Sequence, residues 1–229
     1  MHKVHQTIKR KAFFGLFCLI IIMGLLLFIP AGTLNFWQAW VYLFIFGTSS
    51  LLITLFLMNK DVELLKRRLN AGPEAEKESS QKIIQSFARF FFIAILLVPG
   101  FDHRFNWSDV PLYLVLAGNI FVALGFFIVF LTFKENSFTS AIIEISEDQK
   151  VISTGPYAIV RHPMYSGALL MLLFTPLALG SFWALIFVIL MIIVIIYRLL
   201  DEEKFLSKNL SGYNTYCQKT RFRLIPMIW

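Results

Sequence analysis

Residues 12–29 run for 18 positions without one charged side chain, close to the roughly 20 apolar residues that a helix needs to cross a ~30 Å hydrocarbon layer. Further apolar runs follow at about 36–58, 83–99, 110–133 and 164–200. A helix that is apolar all round has no polar face to turn toward water. In lipid, moreover, every backbone N–H and C=O must be satisfied within its own segment, which leaves the helix as the natural spanning element. The expectation is an all-α, polytopic membrane helical bundle. Composition agrees: 58% of the 229 residues are hydrophobic and 15% charged, against about half and a quarter in soluble domains.

The first run follows Lys9-Arg10-Lys11 and exceeds the 7 to 15 apolar residues of a signal peptide. No small-x-small cleavage site follows it, so it reads as a retained span ending at Pro30-Ala31-Gly32 and forming a hairpin with the second. Residues 59–82 contain Lys66-Arg67-Arg68 with Glu74, Glu76 and Glu78, and read as an aqueous loop. The third span is expected to end at Pro99, before a loop with Asp102, His103, Arg104 and Trp107. A polar segment, 134–163, separates the fourth span from the 164–200 stretch. That stretch is too long for one crossing and is interrupted at Leu179-Gly180-Ser181, so it reads as two, making about six spans in all.

If the spans alternate, Arg104 is the one Lys or Arg at the far ends, while the 59–82 loop, the 134–163 segment and both termini share the basic side. The positive-inside rule makes that side cytoplasmic. Trp37, Trp40, Trp107 and Trp183 fall near the opposite ends, where interfacial aromatics belong. The net charge of +7 is explained by orientation, and no basic, aromatic-studded polar surface points to nucleic acid. Cys18 lies inside an apolar run and Cys217 in the basic tail, a spacing for neither a disulfide framework nor a metal site. The spans carry almost no ionisable residue at mid-depth and the halves are not inverted copies, both of which weigh against a transporter. Chemistry is therefore expected at the cytoplasmic interface.

Three polar stretches meet there. Gly155-Pro156-Tyr157 with Arg161-His162-Pro163-Met164-Tyr165-Ser166-Gly167 opens the fifth span, Arg198 with Asp201-Glu202-Glu203 closes the sixth, and Tyr213, Tyr216, Arg221 and Arg223 follow in the tail. Joined by a tight turn, the last two spans must lie antiparallel, bringing Arg161 and His162 near Glu202 and Glu203. Each element also has a plainer explanation. Arg161 and His162 suit a cytoplasmic helix start, Glu202 suits an i,i+4 partner of Arg198, and the tyrosines suit an interface.

The combination, with Asn136-Ser137-Phe138 and Val151-Ile152-Ser153-Thr154 before it and Gly212-Tyr213 and Arg223-Leu224-Ile225-Pro226 after it, resembles the isoprenylcysteine carboxyl methyltransferase family. The likeness spans roughly 133–229; the first four spans resemble bacterial members only loosely. It implies two regions, 1–133 with spans one to four and 134–229 with the methyltransferase region and a cofactor site on the cytoplasmic side of a bacterial inner membrane. It implies S-adenosylmethionine as cofactor, bound by Gly155, Pro156, Tyr157, His162, Tyr165, Glu202 and Glu203, with no metal. Arg161 or Arg223 would hold an anionic acceptor. The acceptor would be a lipid-like or isoprenylcysteine-like carboxylate, entering laterally from membrane lipid. No G-x-G-x-x-G follows a strand pattern, so no soluble nucleotide-binding fold competes.

Phospholipid N-methylation is the neighbouring alternative, because phospholipid methyltransferases have a similar Arg-His-Pro stretch and later Glu pair. An NADPH-dependent sterol-type reductase and a non-catalytic membrane protein are the alternatives from other classes. The topology is testable directly: reporter fusions at Lys66 and after Trp229 should both read cytoplasmic. A reporter on the outer side at either position contradicts the expected orientation.

Overall fold

The computed structural model describes residues 2–76, 78–145 and 149–229, with side chains from residue 5 onward. The described residues form helices without a strand: α1 (His2–Ala31), α2 (Trp37–Lys60), α3 (Val62–Leu69), α4 (Ser79–Phe105), α5 (Leu112–Glu135), α6 (Pro163–Ala178), α7 (Leu185–Asn209) and α8 (Tyr213–Lys219), with a 3₁₀ turn at Gly155–Ala158. Four of them, α1, α2, α4 and α5, are long and apolar enough to cross a membrane. The polytopic helical bundle expected from the sequence is the fold observed. The last two expected spans are shorter in apolar length. α6 has 16 residues, a rise of about 24 Å, and the apolar part of α7 gives way to Arg198, Asp201, Glu202 and Glu203.

The bundle is held by backbone approaches as close as side chains allow. α5 packs against α6 and α1 against α4, each through glycine. A Cβ on Gly125 would lie 2.7 Å from the Gly167 carbonyl, one on Gly167 would lie 2.7 Å from the Gly125 carbonyl, and one on Gly100 would meet the Leu27 carbonyl at 2.5 Å. Between hydrocarbon-solvated helices there is little hydrophobic drive to associate, so small residues that let backbones touch supply the packing. The fully buried Met23, Leu27, Phe36, Tyr42, Leu96 and Val122 fill the centre between α1, α2, α4 and α5.

The end far from the basic residues is tied by one buried acid. Asp102 accepts hydrogen bonds from the Ser108 N–H and hydroxyl, both at 2.7 Å, and from the Ser181 hydroxyl at 2.5 Å. Ser181 belongs to the α6–α7 turn, where Gly180 adopts φ +73°. The Ser181 and Gly180 N–H groups there bond the Pro176 and Leu177 carbonyls, the two closing bonds of a Schellman end. The third span departs from its expected end. Pro99 lies inside α4, which continues to Phe105 and carries Asp102, His103 and Arg104 in its last turns. A proline removes one N–H from a helix that neighbouring spans clamp, and such prolines are tolerated in membrane helices; the stop comes at Asn106, in left-handed conformation.

The expected boundary at 133/134 falls in the last turn of α5, and the chain packs across it through the α5–α6 glycine contact. Gly167→Ala should lower stability by about 1 to 3 kcal/mol, because its new methyl meets backbone and has no room to shift. Gly15→Ala, with nothing within 4 Å of the new methyl, should be neutral or stabilising. Thermal unfolding in detergent separates the two, and equal melting temperatures for both variants would contradict the close-packing account.

Candidate functional site

Pro163 sits at the first position of α6, a place suited to its fixed φ and missing N–H, so that His162 becomes the N-cap. The backbone just before the helix is held from outside: the Arg161 and His162 N–H groups bond the Phe222 and Arg223 carbonyls at 2.9 and 3.0 Å. The Ser166 hydroxyl donates to the Leu224 carbonyl at 2.6 Å. The C-terminal tail is thereby strapped across the start of α6.

On α7, neighbouring acids point to different places because successive helical residues are rotated by about 100°. Arg198, Glu202 and Leu206, four apart, line an open cleft, whereas Leu199 and Glu203 are buried. Glu203 is the hub of the buried side. Its Oε1 lies 3.0 Å from Arg161 Nη1 and 3.4 Å from His162 Nε2, and its Oε2 accepts from Arg223 Nε at 2.8 Å. Burial favours the neutral acid, but His162, Arg223 and Arg161 outweigh it and hold the carboxyl at about 2. The Arg161 fork is fully engaged, with Nε on the Thr220 carbonyl at 2.7 Å and Nη2 on that of Cys217 at 2.9 Å. Arg223 also stacks its guanidinium over the Trp229 ring at 5.3 Å.

The cleft has a volume of about 100 Å³ and opens to solvent. One wall comes from residues 136–144 and 149–152, another from Tyr157, His162 and Tyr165, and a third from α7 and the α8 tyrosines Tyr213 and Tyr216. Residues 146–148, in the polar segment read from the sequence, lie outside the described residues. The Tyr165 hydroxyl donates to Glu202 Oε2 at 2.6 Å and accepts from Arg198 Nε at 3.1 Å. The Tyr157 hydroxyl accepts from Asn136 Nδ2 at 2.9 Å, and burial raises its pKa. His162 Nε2 and the Tyr213 hydroxyl are buried on this cleft; His162 Nε2 faces Glu203 Oε1 at 3.4 Å, and the Tyr213 hydroxyl has no well-aligned hydrogen bond among the described residues.

Of the residues singled out from the sequence, Tyr157, Arg161, His162, Tyr165 and Glu202 line the cleft. Gly155 and Pro156 shape the 3₁₀ turn that carries Tyr157, with Gly155 at φ +56° packed so closely on Glu135 that a Cβ would lie 2.9 Å away. Glu203 and Arg223 stand behind the lining, in the layer that holds the tail. Sequence reasoning missed the contribution of the 59–82 loop. Glu76, only 4% exposed, pairs with Arg198 Nη1 at 2.7 Å, and Gln81 accepts from the same nitrogen at 2.9 Å. Arg68 donates to the Ser140 carbonyl at 2.8 Å. Nothing in an alternating run of Glu, Lys and Ala marks one glutamate as buried.

Residues 113–212 match the family model described as phospholipid methyltransferase. The match supports a membrane methyltransferase. It covers α5 from its second residue, the first two walls of the cleft and α7, and stops before α8 and the strapped tail. The matched family lies in the same membrane methyltransferase superfamily as the family that the motifs resemble. No curated protein matches the chain at a significant level. Among the described residues there is no group of His, Cys, Asp and Glu side chains that could hold a metal ion.

The Glu203 hub carries a pH dependence of known sign. Its folded pKa lies below the ordinary 4.5, so its contribution to stability is full above about pH 4.5 and is lost as pH falls through about 2. Glu203→Gln should melt earlier than the parent at neutral pH, and the gap should narrow as pH falls across that window. Parallel melting curves against pH would show that Glu203 is not the group responsible.

Proposed function

We propose that the chain is an S-adenosylmethionine-dependent methyltransferase that works where its cytoplasmic face meets the membrane, on a lipid-like acceptor. The observation that carries this reading is Glu202 Oε1, a carboxylate oxygen on the cleft without a hydrogen bond among the described residues, with His162 and Tyr213 lining the same cleft. They fit the cofactor's chemistry. A carboxylate oxygen accepts from ribose hydroxyls or from an ammonium group, and an imidazole nitrogen and a phenol each meet a further polar atom. The faces of Tyr157, Tyr165 and Tyr216 suit a cationic sulfonium. When bound, S-adenosylmethionine supplies an electrophilic methyl group for in-line displacement.

The chain's own residues then have positional work, because methyl transfer to a carboxylate or an amine needs no metal and depends on orientation and exclusion of water. Tyr165, itself held by Arg198, fixes Glu202, and the tail strapped by Arg161 and Ser166 closes the cleft's α8 side. Of the two arginines proposed to orient the acceptor, Arg161 has its donors engaged within the protein, whereas Arg223 is a third exposed and has donors to spare. Arg223 is therefore the better candidate for an acceptor carboxylate or phosphate. Both termini are placed in the cytoplasm in this reading, in a bacterial inner membrane. The motif resemblance favours an isoprenylcysteine-like carboxylate as acceptor, and the family match over 113–212 favours a phospholipid amine.

Titration calorimetry of the purified protein with S-adenosylmethionine, with chelator present, should give binding, and His162→Ala should weaken it by about 1 to 3 kcal/mol. Transfer of labelled methyl to prenylcysteine analogues or to phosphatidylethanolamine vesicles then assigns the acceptor as acid or amine. Binding of NADPH in place of S-adenosylmethionine, or none of either, would overturn the proposal.

A further inference from the structure

Arg198 lines the cleft beside Glu202, and the two are four residues apart on α7, the spacing at which side chains of opposite charge pair along a helix. They do not pair. Arg198 Nη1 lies 2.7 Å from Glu76 Oε1, Nη1 also donates to Gln81 Oε1, Nη2 donates to the Ala141 carbonyl at 2.9 Å, and Nε points to the Tyr165 hydroxyl. Glu202 receives only the Tyr165 proton on Oε2, and its Oε1 has no hydrogen-bond partner among the described residues. Glu76 has 1% of its side chain exposed and is held in place by Gln85 Nε2 at 3.1 Å. A buried acid in an otherwise polar loop is costly unless a specific cation compensates it.

We propose that Glu76 is a positioning residue for the cleft: by holding Arg198 away from Glu202, it keeps one Glu202 carboxylate oxygen free for a ligand that presents hydroxyl or ammonium donors. The loop between α3 and α4 thus completes a site whose other residues all come from the second half of the chain. Without Glu76, the guanidinium is free to turn to Glu202, at i+4 and already electrostatically coupled to it, and to block the oxygen that faces the cleft. The inference rests on the methyltransferase reading for the ligand's identity and on the hydrogen-bond geometry for the role of Glu76.

The test is a double-mutant cycle read as S-adenosylmethionine affinity by calorimetry, without turnover. Glu76→Gln should weaken binding about tenfold or more, the scale of losing one charge-assisted contact. Glu202→Gln should weaken it similarly, and Glu76→Gln with Glu202→Gln together should be no weaker than Glu202→Gln alone, because the carboxylate charge that draws the guanidinium is already gone. Glu74→Gln, two residues away in an exposed pair with Arg89, should bind as the parent does. If Glu76→Gln does not insert and fold, Glu76→Asp serves in the same cycle, since it keeps the charge but draws it back, and an intermediate loss that vanishes in the Glu202→Gln background is expected. Additive losses in the cycle, or undiminished binding by a folded Glu76 variant, would overturn the role of Glu76. A parent protein that binds no S-adenosylmethionine would instead overturn the methyltransferase reading, which keeps the two failures apart.

Discussion

The polar half of the molecule is assembled on the Glu203 carboxylate. It meets Arg161 from the segment before α6, Arg223 from the tail and, at 3.4 Å, His162 at the α6 N-cap. Two pieces of chain far apart in sequence, the start of α6 and the tail, are thereby fixed to one helix, and the first brings a wall of the cleft with it. A buried carboxylate in that position is tolerated because opposite charge surrounds it, and removing any one partner would leave charge uncompensated in a poorly solvated place. The second layer, Glu76 with Arg198, repeats the device for the α3–α4 loop. Polar order at the interface is therefore electrostatic, while order within the bundle comes from glycine-mediated contact.

This division follows from the solvent. Across the apolar depth there is no water to exclude, so helices gain from close approach and from the few internal hydrogen bonds available, such as that between the Tyr42 and Thr175 hydroxyls at 3.2 Å. At the polar end charges are tolerated, and α7 changes from an apolar helix to one bearing Arg198 and Glu202 on its cleft face and Glu203 on another. A cleft at that junction is open to a water-soluble cofactor and close to the lipid phase. That is the setting a lipid-directed methyltransferase requires.

The bundle was legible because apolar runs of spanning length have few other solutions, and the antiparallel α6–α7 pair was legible from Gly180-Ser181 in the middle of one long run. Tyr157, His162, Tyr165 and Glu202, which the family resemblance singled out, line the cleft. What could not be read depends on tertiary context. Pro99 looked like a stop, yet neighbouring spans carry the helix through it to Phe105. Glu203 looked equivalent to Glu202, yet one step along α7 turns it from the cleft toward the tail. Glu76 shares its composition with its exposed neighbours Glu74 and Glu78, and only the folded loop distinguishes it.

The central claim is that one cofactor cleft is built jointly by the segment after α5, the start of α6 and the α7–α8 region. Amide hydrogen exchange of the detergent-solubilised protein, with and without saturating S-adenosylhomocysteine, tests this most directly. The account predicts protection concentrated in peptides covering 136–144, 155–166 and 202–216, with the outer-end peptides around Asp102 and Ser181 unchanged. Protection absent from those three regions, or found instead along α1 and α2, would contradict it.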